Sequence, residues 1–333
     1  MKTRSDKIKY KMKIKRRKRI VLTLLPLLLL TFAAVAYGGY LFTKAANVAA
    51  GSKEVLARGD QSERRFAAVD PKKDSISILI MGVDDSNIRE FGKSTRTDAL
   101  ILATFNVKEK SVKMLSIPRD SYVYIPEKEK KDKITHAHVY GGTEGTIETV
   151  EELFDIPVDY YFKLNFNAFI DVVDALGGIT VDVPITFTEQ DSKDTADAIH
   201  LEKGLQELDG EEALALARTR KIDSDIERGK RQQLVLRAII DKAVSIGSIT
   251  KYGDVMESMG DNMTTNLEFG EMLGLFGYAI AGLNIESLTL DGYDDNIKGV
   301  YYYRLEESSV EEVGETFKEH LEVISNVATT INQ

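Results

Sequence analysis

The stretch ALARTRKIDSDIERGKRQQLVL, residues 215–236, holds six basic side chains in 22 positions: Arg218, Arg220, Lys221, Arg228, Lys230 and Arg231. They cannot all face one ligand. Arg218 and Arg220 are two apart and share a face only in extended chain, so the helix before them is expected to end at about Ala217. A second helix is expected to start near Asp225 as its N-cap, which stacks Arg228 and Gln232, four apart, on one face of its first turns. Lys230 and Arg231 fall on other faces and read as solvated. Arginines gathered near a helix N-terminus make an anion site, because their forks take phosphate oxygens two at a time and the helix dipole adds to them.

A second set comes from three segments far apart in sequence. The apolar run SISILIMG (75–82) reads as a strand whose upper end delivers Asp84 and Asp85. SVKMLSIP (111–118), taken as parallel to it, delivers Arg119 at its own upper end. ALILATFN (99–106) is joined to 111–118 by VKEK, short enough for a hairpin, so it begins at the top, just after Arg96 and Asp98. Three carboxylates and two guanidiniums thus converge on one rim of a sheet, where open α/β sheets place ligands. The bland alternative is a pair of surface ion pairs on loops. Carboxylates amid arginines suit a hard cation such as Mg²⁺ bridging phosphate to protein, and the combination points to phosphoryl or pyrophosphate chemistry.

Other motifs carry less. FGKST (91–95) resembles the end of a phosphate-binding loop, but Asn87 stands where that motif requires glycine. His136 and His138 form an H-x-H without further His or Cys nearby, which favours a structural role over a metal. No G-x-S-x-G elbow is present, so serine hydrolase chemistry has no support. The apolar residues of YYFKLNFNAFIDVVDAL (160–176) read as core, with a wall of a lipid pocket as the sharper alternative.

The elements that must position these residues alternate in type. Helices are expected at 142–155, at 167–178 closed by glycines, after the Asp209-x-x-Glu212 capping box, through RQQLVLRAIIDKAVS, and near 268–282 and 309–328. Further strands are expected at VDYYFKLNF, ITVDVP and GVYYYRL. The expected fold is α/β (α+β layered): a mixed central β-sheet flanked by helices, in a single domain over 75–333.

The chain has 333 residues and a formal net charge of −9, unevenly spread. Residues 1–20 hold eleven Lys or Arg and one acid, a net of +10, while the rest carries 33 basic and 52 acidic residues, a net of −19. An acidic bulk repels polyanions, so no nucleic acid is expected as a partner. Ile20–Thr43 is uncharged over 24 residues, which as a helix spans roughly 36 Å, enough to cross a membrane. The basic flank keeps residues 1–19 in the cytoplasm as a tail and puts the C-terminal bulk outside. Residues 20–43 thus read as a transmembrane signal-anchor, against a cleaved signal peptide, whose apolar region is usually shorter. Residues 44–74 read as an extracellular stalk. With no cysteine, the fold has neither disulfides nor thiolate metal sites.

The blocks ILIMGVDD, TRTDALILATFN, KMLSIPRDSYVYIP, DKITHAHVYGG, LDGEEALALARTR and DSDIERGKRQQLVL, in this order and spacing, resemble the LytR–CpsA–Psr family over about residues 74–250. The resemblance implies a membrane-anchored phosphotransferase of the Gram-positive cell wall. Such enzymes move a glycopolymer, wall teichoic acid being the favoured one here and capsule the alternative, from a polyprenyl diphosphate carrier to the C6 hydroxyl of N-acetylmuramic acid in peptidoglycan. Carried over by position, it implies that Arg96, Arg119, Arg218, Arg220, Arg228 and Gln232 bind the pyrophosphate. It implies that Asp84 and Asp98 hold Mg²⁺, with Mn²⁺ as a substitute, Asp85 being a neighbouring candidate. Arg119, Arg218, Arg220 and Asp98 are the expected catalytic residues, with Asp98 or a nearby carboxylate accepting the hydroxyl proton. Lys133 is a weaker match, and Thr135 departs from the asparagine the family often shows. The competing expectations are a polyprenyl-diphosphate hydrolase at the same site and a non-catalytic wall-binding ectodomain.

Overall fold

The computed structural model describes residues 37–40, 43–44, 47, 51–59, 61–83, 96–220, 224–245, 255, 262–268, 270–272, 275 and 284–323. The chain divides into two units, Met1–Asn47 and Val48–Gln333. In the first, Tyr37–Tyr40 are helical and the Thr43 hydroxyl donates back to the carbonyls of Gly39 and Tyr40. Most of the expected membrane span, 20–43, lies outside the described residues, among which no helix is long and apolar enough to cross a membrane.

The second unit is built on a six-stranded mixed sheet. Its first strands are β1 (Ile76–Val83), β2 (Thr97–Asn106) and β3 (Ser111–Ser116). β1 and β2 are antiparallel, as are β2 and β3 across the VKEK turn, so β1 and β3 point the same way and end on the same rim. β4 (Tyr122–Ile125) and β5 (Lys130–Lys133) form a hairpin just past that rim. Helix α1 runs from Ala137 to Phe154, earlier than the expected start at 142. The expected start lies at a kink inside it: Gly142 has φ 61°, a conformation open to glycine but costly for other residues.

β6 (Tyr160–Asn165) lies parallel to β1 and leads into α2 (Phe166–Leu176), which Asn165 caps by accepting from the Ala168 N–H. β7 (Ile179–Val183), β8 (Phe187–Glu189), β9 (Ile199–Leu201) and β10 (Gly204–Leu208) form two small ribbons, β7 with β10 and β8 with β9. α3 (Gly210–Arg218) opens on the expected capping box of Asp209 and Glu212. α4 spans Asp225–Ala243.

β11 (Met263–Thr265) and β12 (Asn284–Leu288) complete the sheet, in the order β11-β6-β1-β2-β3-β12. β13 (Gly292–Ile297) and β14 (Val300–Leu305) make a hairpin, followed by α5 (Glu307–His320). Of the helix expected at 268–282, residues 270–272 and 275 are helical and the others, apart from 268, lie outside the described residues.

The two faces of the sheet are divided by strand alternation. Leu79, Met81, Leu100, Leu102 and Leu115 point to one side and pack with Ile147, Val150 and Phe154 of α1 and Val313 and Phe317 of α5. Ile78, Ile80, Ile101 and Ala103 point to the other side, towards α2 and α4. The described residues between 51 and 74, part of the 44–74 segment read above as a stalk, are tied into this unit by ion pairs. Arg58 holds Glu151 at 3.0 Å and Arg65 takes Asp159 with two nitrogens at 2.9 and 2.7 Å. All four side chains are at least nine-tenths buried.

Candidate active site

Between the sheet and α4 lies a cavity of about 710 Å³. Its polar end is at the common rim of β1, β2 and β3, and its walls become hydrocarbon away from it. Along α4 the lining residues are Arg228, Gln232, Val235, Leu236, Ile239 and Ile240, one helical face that changes from charged to apolar over roughly 18 Å. Ile78, Ile80 and Gly82 of β1 with Ala99, Ile101 and Phe105 of β2 form the floor. At Gly82 a Cβ would stand 3.1 Å from that of Ala99, so the floor is kept low by small residues at the polar end.

The rim brings the predicted charges together. The Arg119 guanidinium is ion-paired with Asp98, and Arg220 lies 3.7 Å from the same carboxylate oxygen. Arg218 closes α3, and the buried Thr219 that follows has ψ 137°, which ends the helix one residue later than expected and turns the chain extended. Arg218 donates to the carbonyls of Gln190 and Asp191 at 3.0 and 2.8 Å, and so is held at the cavity wall by backbone. Gln232 accepts from the Ser116 hydroxyl at 3.0 Å. Asp98, Arg119, Arg218, Arg220, Arg228 and Gln232 all line the cavity. Arg96 does not join them; it stands exposed just before β2. Asp84 and Asp85 lie outside the described residues.

Three details depart from the expectations. Ser224, not Asp225, caps α4, its hydroxyl accepting from the Glu227 N–H. Asp225 instead bridges two arginines, with one carboxylate oxygen holding Arg228 at 2.7 Å and the other accepting the backbone N–H of Arg119 at 3.1 Å. Burial raises the Asp225 carboxyl above its usual range against the pull of Arg228, and burial likewise lowers Arg228. Arg231, expected in solvent, is buried and donates to the carbonyls of Leu216 and Thr219 at the C-terminal end of α3, at 3.3 and 2.8 Å. Lys230 is exposed and pairs with Glu227, as expected of a solvated charge.

The run 160–176 serves both readings. Tyr161, Val173 and Leu176 are core, while Phe162, Leu164, Phe166, Phe169 and Val172 line the cavity. Lys133 pairs with Asp120 at 2.7 Å, beside Arg119. Thr135 is buried and donates to the Thr97 carbonyl at 2.7 Å, supporting the first residue of β2. His136 pairs with Asp132 at 3.2 Å.

No three His, Asp or Glu side chains among the described residues gather closely enough to hold a metal. Asp98 offers a hard oxygen ligand at the arginine-lined end, and Val83, the residue before Asp84, pairs with Thr97, the residue before Asp98. The donor chemistry at Asp98 suits a hard divalent cation.

This geometry suits an amphipathic anion: guanidiniums at one end, hydrocarbon at the other. The comparisons with known proteins agree with it. The teichoic acid transferase TagT of Bacillus subtilis (a polyisoprenyl-teichoic acid–peptidoglycan teichoic acid transferase) is 46% identical over 325 residues, spanning 97% of this chain and all of TagT. A structure of TagT bound to LIIa-WTA superposes with a TM-score of 0.69 at 46% identity, covering 80% of this chain and 99% of that one. TagT with bound octaprenyl pyrophosphate lipid superposes at 0.64 with 44% identity and coverage of 80% and 99%. The family model for LytR_cpsA_psr matches residues 39–319, and this chain belongs to the LytR–CpsA–Psr family.

Proposed function

We propose that this protein transfers a glycopolymer, wall teichoic acid in the first instance, from a polyprenyl diphosphate carrier to the C6 hydroxyl of N-acetylmuramic acid in peptidoglycan. The observation that carries this reading is the graded cavity, whose arginines suit a diphosphate and whose α4 face suits a prenyl tail. In TagT the bound lipid is an octaprenyl pyrophosphate, a molecule of that polarity.

The chemistry follows from the charges. The acceptor hydroxyl attacks the sugar-side phosphorus, the bond from that phosphorus to the bridging oxygen breaks, and polyprenyl phosphate leaves. Charge grows on the bridging oxygen and the leaving phosphate, where Arg119, Arg218, Arg220 and Arg228 are already oriented by Asp98, the Gln190 and Asp191 carbonyls, and Asp225. Such preorganised donors lower a barrier because they need no rearrangement as the charge develops. In this reading Asp98 takes the hydroxyl proton once the diphosphate draws Arg119 and Arg220 towards itself. Asp98 and Asp84 are the residues that would hold Mg²⁺ or Mn²⁺, which would neutralise part of the diphosphate charge. The reading places residues 20–43 in the membrane and the catalytic unit on the cell-wall side, where carrier and peptidoglycan meet.

The test is transfer by the full chain in lipid vesicles, given teichoic acid or capsule precursors on polyprenyl diphosphate together with uncrosslinked peptidoglycan. Polymer joined to glycan through a phosphodiester is the expected product. Free phosphorylated polymer as the sole product would establish the hydrolase instead. Loss of transfer on chelation, restored by Mg²⁺, tests the metal.

A further inference from the structure

The cavity's arginines and hydrocarbon face suit the donor, and along α4 beyond Gln232 it offers no polar group to an acceptor. Its walls beyond Gln232 are hydrocarbon, where a sugar would give up water from every hydroxyl and gain nothing in exchange. The acceptor must therefore come to the arginines over the rim, from solvent.

On that rim stands a group of tyrosines. β14 docks against the segment after Arg119: the Tyr303 N–H donates to the Asp120 carbonyl at 2.9 Å and Tyr303 bridges Ser121. β14 carries three consecutive tyrosines with three different surroundings. Tyr303 is buried, 8% exposed. Tyr302 meets Tyr122 edge to face, with ring centroids 4.8 Å apart. Tyr301 is 41% exposed and faces Asn296 across the hairpin, so no aromatic partner across the strand accounts for its ring.

Tyr301 is coupled to the site. Lys133, 2.7 Å from Asp120, lies 5.6 Å from the ring centre of Tyr301. The Tyr301 phenol is raised first by burial and then by the charges of Asp294, Asp120 and Asp225. The last two are the carboxylates that flank Arg119. Its hydroxyl donates to Asp294 at 2.8 Å, which holds the ring in place. A fixed, half-exposed ring beside a carboxylate and an ammonium is what a pyranose requires: the ring takes the sugar's C–H face, and the charged groups take its hydroxyls and acetamido group.

We propose that Tyr301, with Asp294 and Lys133, forms the acceptor subsite, a stacking shelf for an N-acetylated aminosugar of a glycan strand, placed so that the sugar's primary hydroxyl reaches the phosphorus held by Arg119. The assignment rests on the transferase reading, since only a transferase requires a sugar acceptor.

The experiment uses the full chain in detergent micelles, with a tetrasaccharide of alternating N-acetylglucosamine and N-acetylmuramic acid as probe. It compares wild type, Tyr301→Ala and Tyr301→Phe in acceptor KM, donor affinity and direct glycan binding by saturation-transfer NMR. Tyr301→Ala should raise the acceptor KM about tenfold with donor affinity unchanged, while Tyr301→Phe, which keeps the ring, should stay within about twofold. An unchanged KM in Tyr301→Ala overturns the shelf, and so does a Phe variant as impaired as the Ala variant, which would assign the effect to the Asp294 hydrogen bond. Should the wild type transfer nothing, the transferase reading fails separately. The acceptor role falls with it, and glycan binding decides only whether Tyr301 is a glycan shelf: lost in Tyr301→Ala the shelf stands without that role, retained it falls too.

Discussion

Asp225 binds Arg119 through the main chain, accepting its N–H at 3.1 Å, and so joins the start of α4 to the end of β3's exit segment. Its other oxygen holds Arg228, so a single buried carboxylate orients two of the cavity's arginines. Removing it strands a buried guanidinium. Asp225→Ala should lower stability by about 3 kcal/mol in denaturant titration and abolish transfer, whereas replacing both partners together should cost less than the sum.

Arg119 itself is only partly buried and pairs with a rim carboxylate, so its loss should cost little stability. Arg119→Ala should reduce the transfer rate by a factor corresponding to about 3 kcal/mol of barrier, measured with teichoic acid precursor in vesicles. Arg119→Lys should recover only part of it, because an ammonium cannot take two phosphate oxygens in one plane. Transfer at the wild-type rate by the Ala variant would remove Arg119 from the mechanism.

The apolar arm makes a prediction about chain length. Ile239 and Ile240 lie on the α4 face well beyond the arginines. Ile239→Trp should shorten the arm and lower the affinity for a long-chain polyprenyl diphosphate about tenfold relative to a short-chain one, read as a ratio of dissociation constants. Equal losses for both chains would mean that the tail does not follow α4.

His320 supplies a pH dependence of stability. It is buried between the Thr104 and Ser111 hydroxyls, 2.8 Å from each, and burial lowers its pKa from 6.5 to about 4. The folded state therefore keeps the ring neutral while the unfolded chain binds a proton below 6.5. The His320 contribution is fully present above 6.5 and is lost as pH falls towards 4. Between pH 7 and pH 5 the wild type should lose about 2 kcal/mol from this residue, a loss that His320→Gln should not show.

Much of this site was legible because strands end where chemistry begins. The apolar runs of β1 and β3 stop just before Asp84 and Arg119, that of β2 starts just after Asp98, and a four-residue turn leaves β2 and β3 no pairing except antiparallel. Those facts alone bring Asp98 and Arg119 to one edge. The spacing of Arg218 and Arg220 required an extended chain between them, and Thr219 provides it. The capping box at Asp209 and Glu212 was equally local and equally readable.

Tertiary structure alone decided the rest. Arg231 looked solvated from helical phase, yet α3 ends beside α4 and presents carbonyls that lack partners within their own helix, which an arginine satisfies. The residue before Asp225 could cap α4, and which of the two did so determined whether Asp225 was available to Arg119 and Arg228. The cavity has no signature in periodicity, because an apolar side chain facing a lipid pocket and one facing the core obey the same alternation. Whether Phe162 and Ile239 meet each other or leave space for a prenyl tail depends on how far α4 stands from the sheet, and that distance is set by packing between elements far apart in sequence.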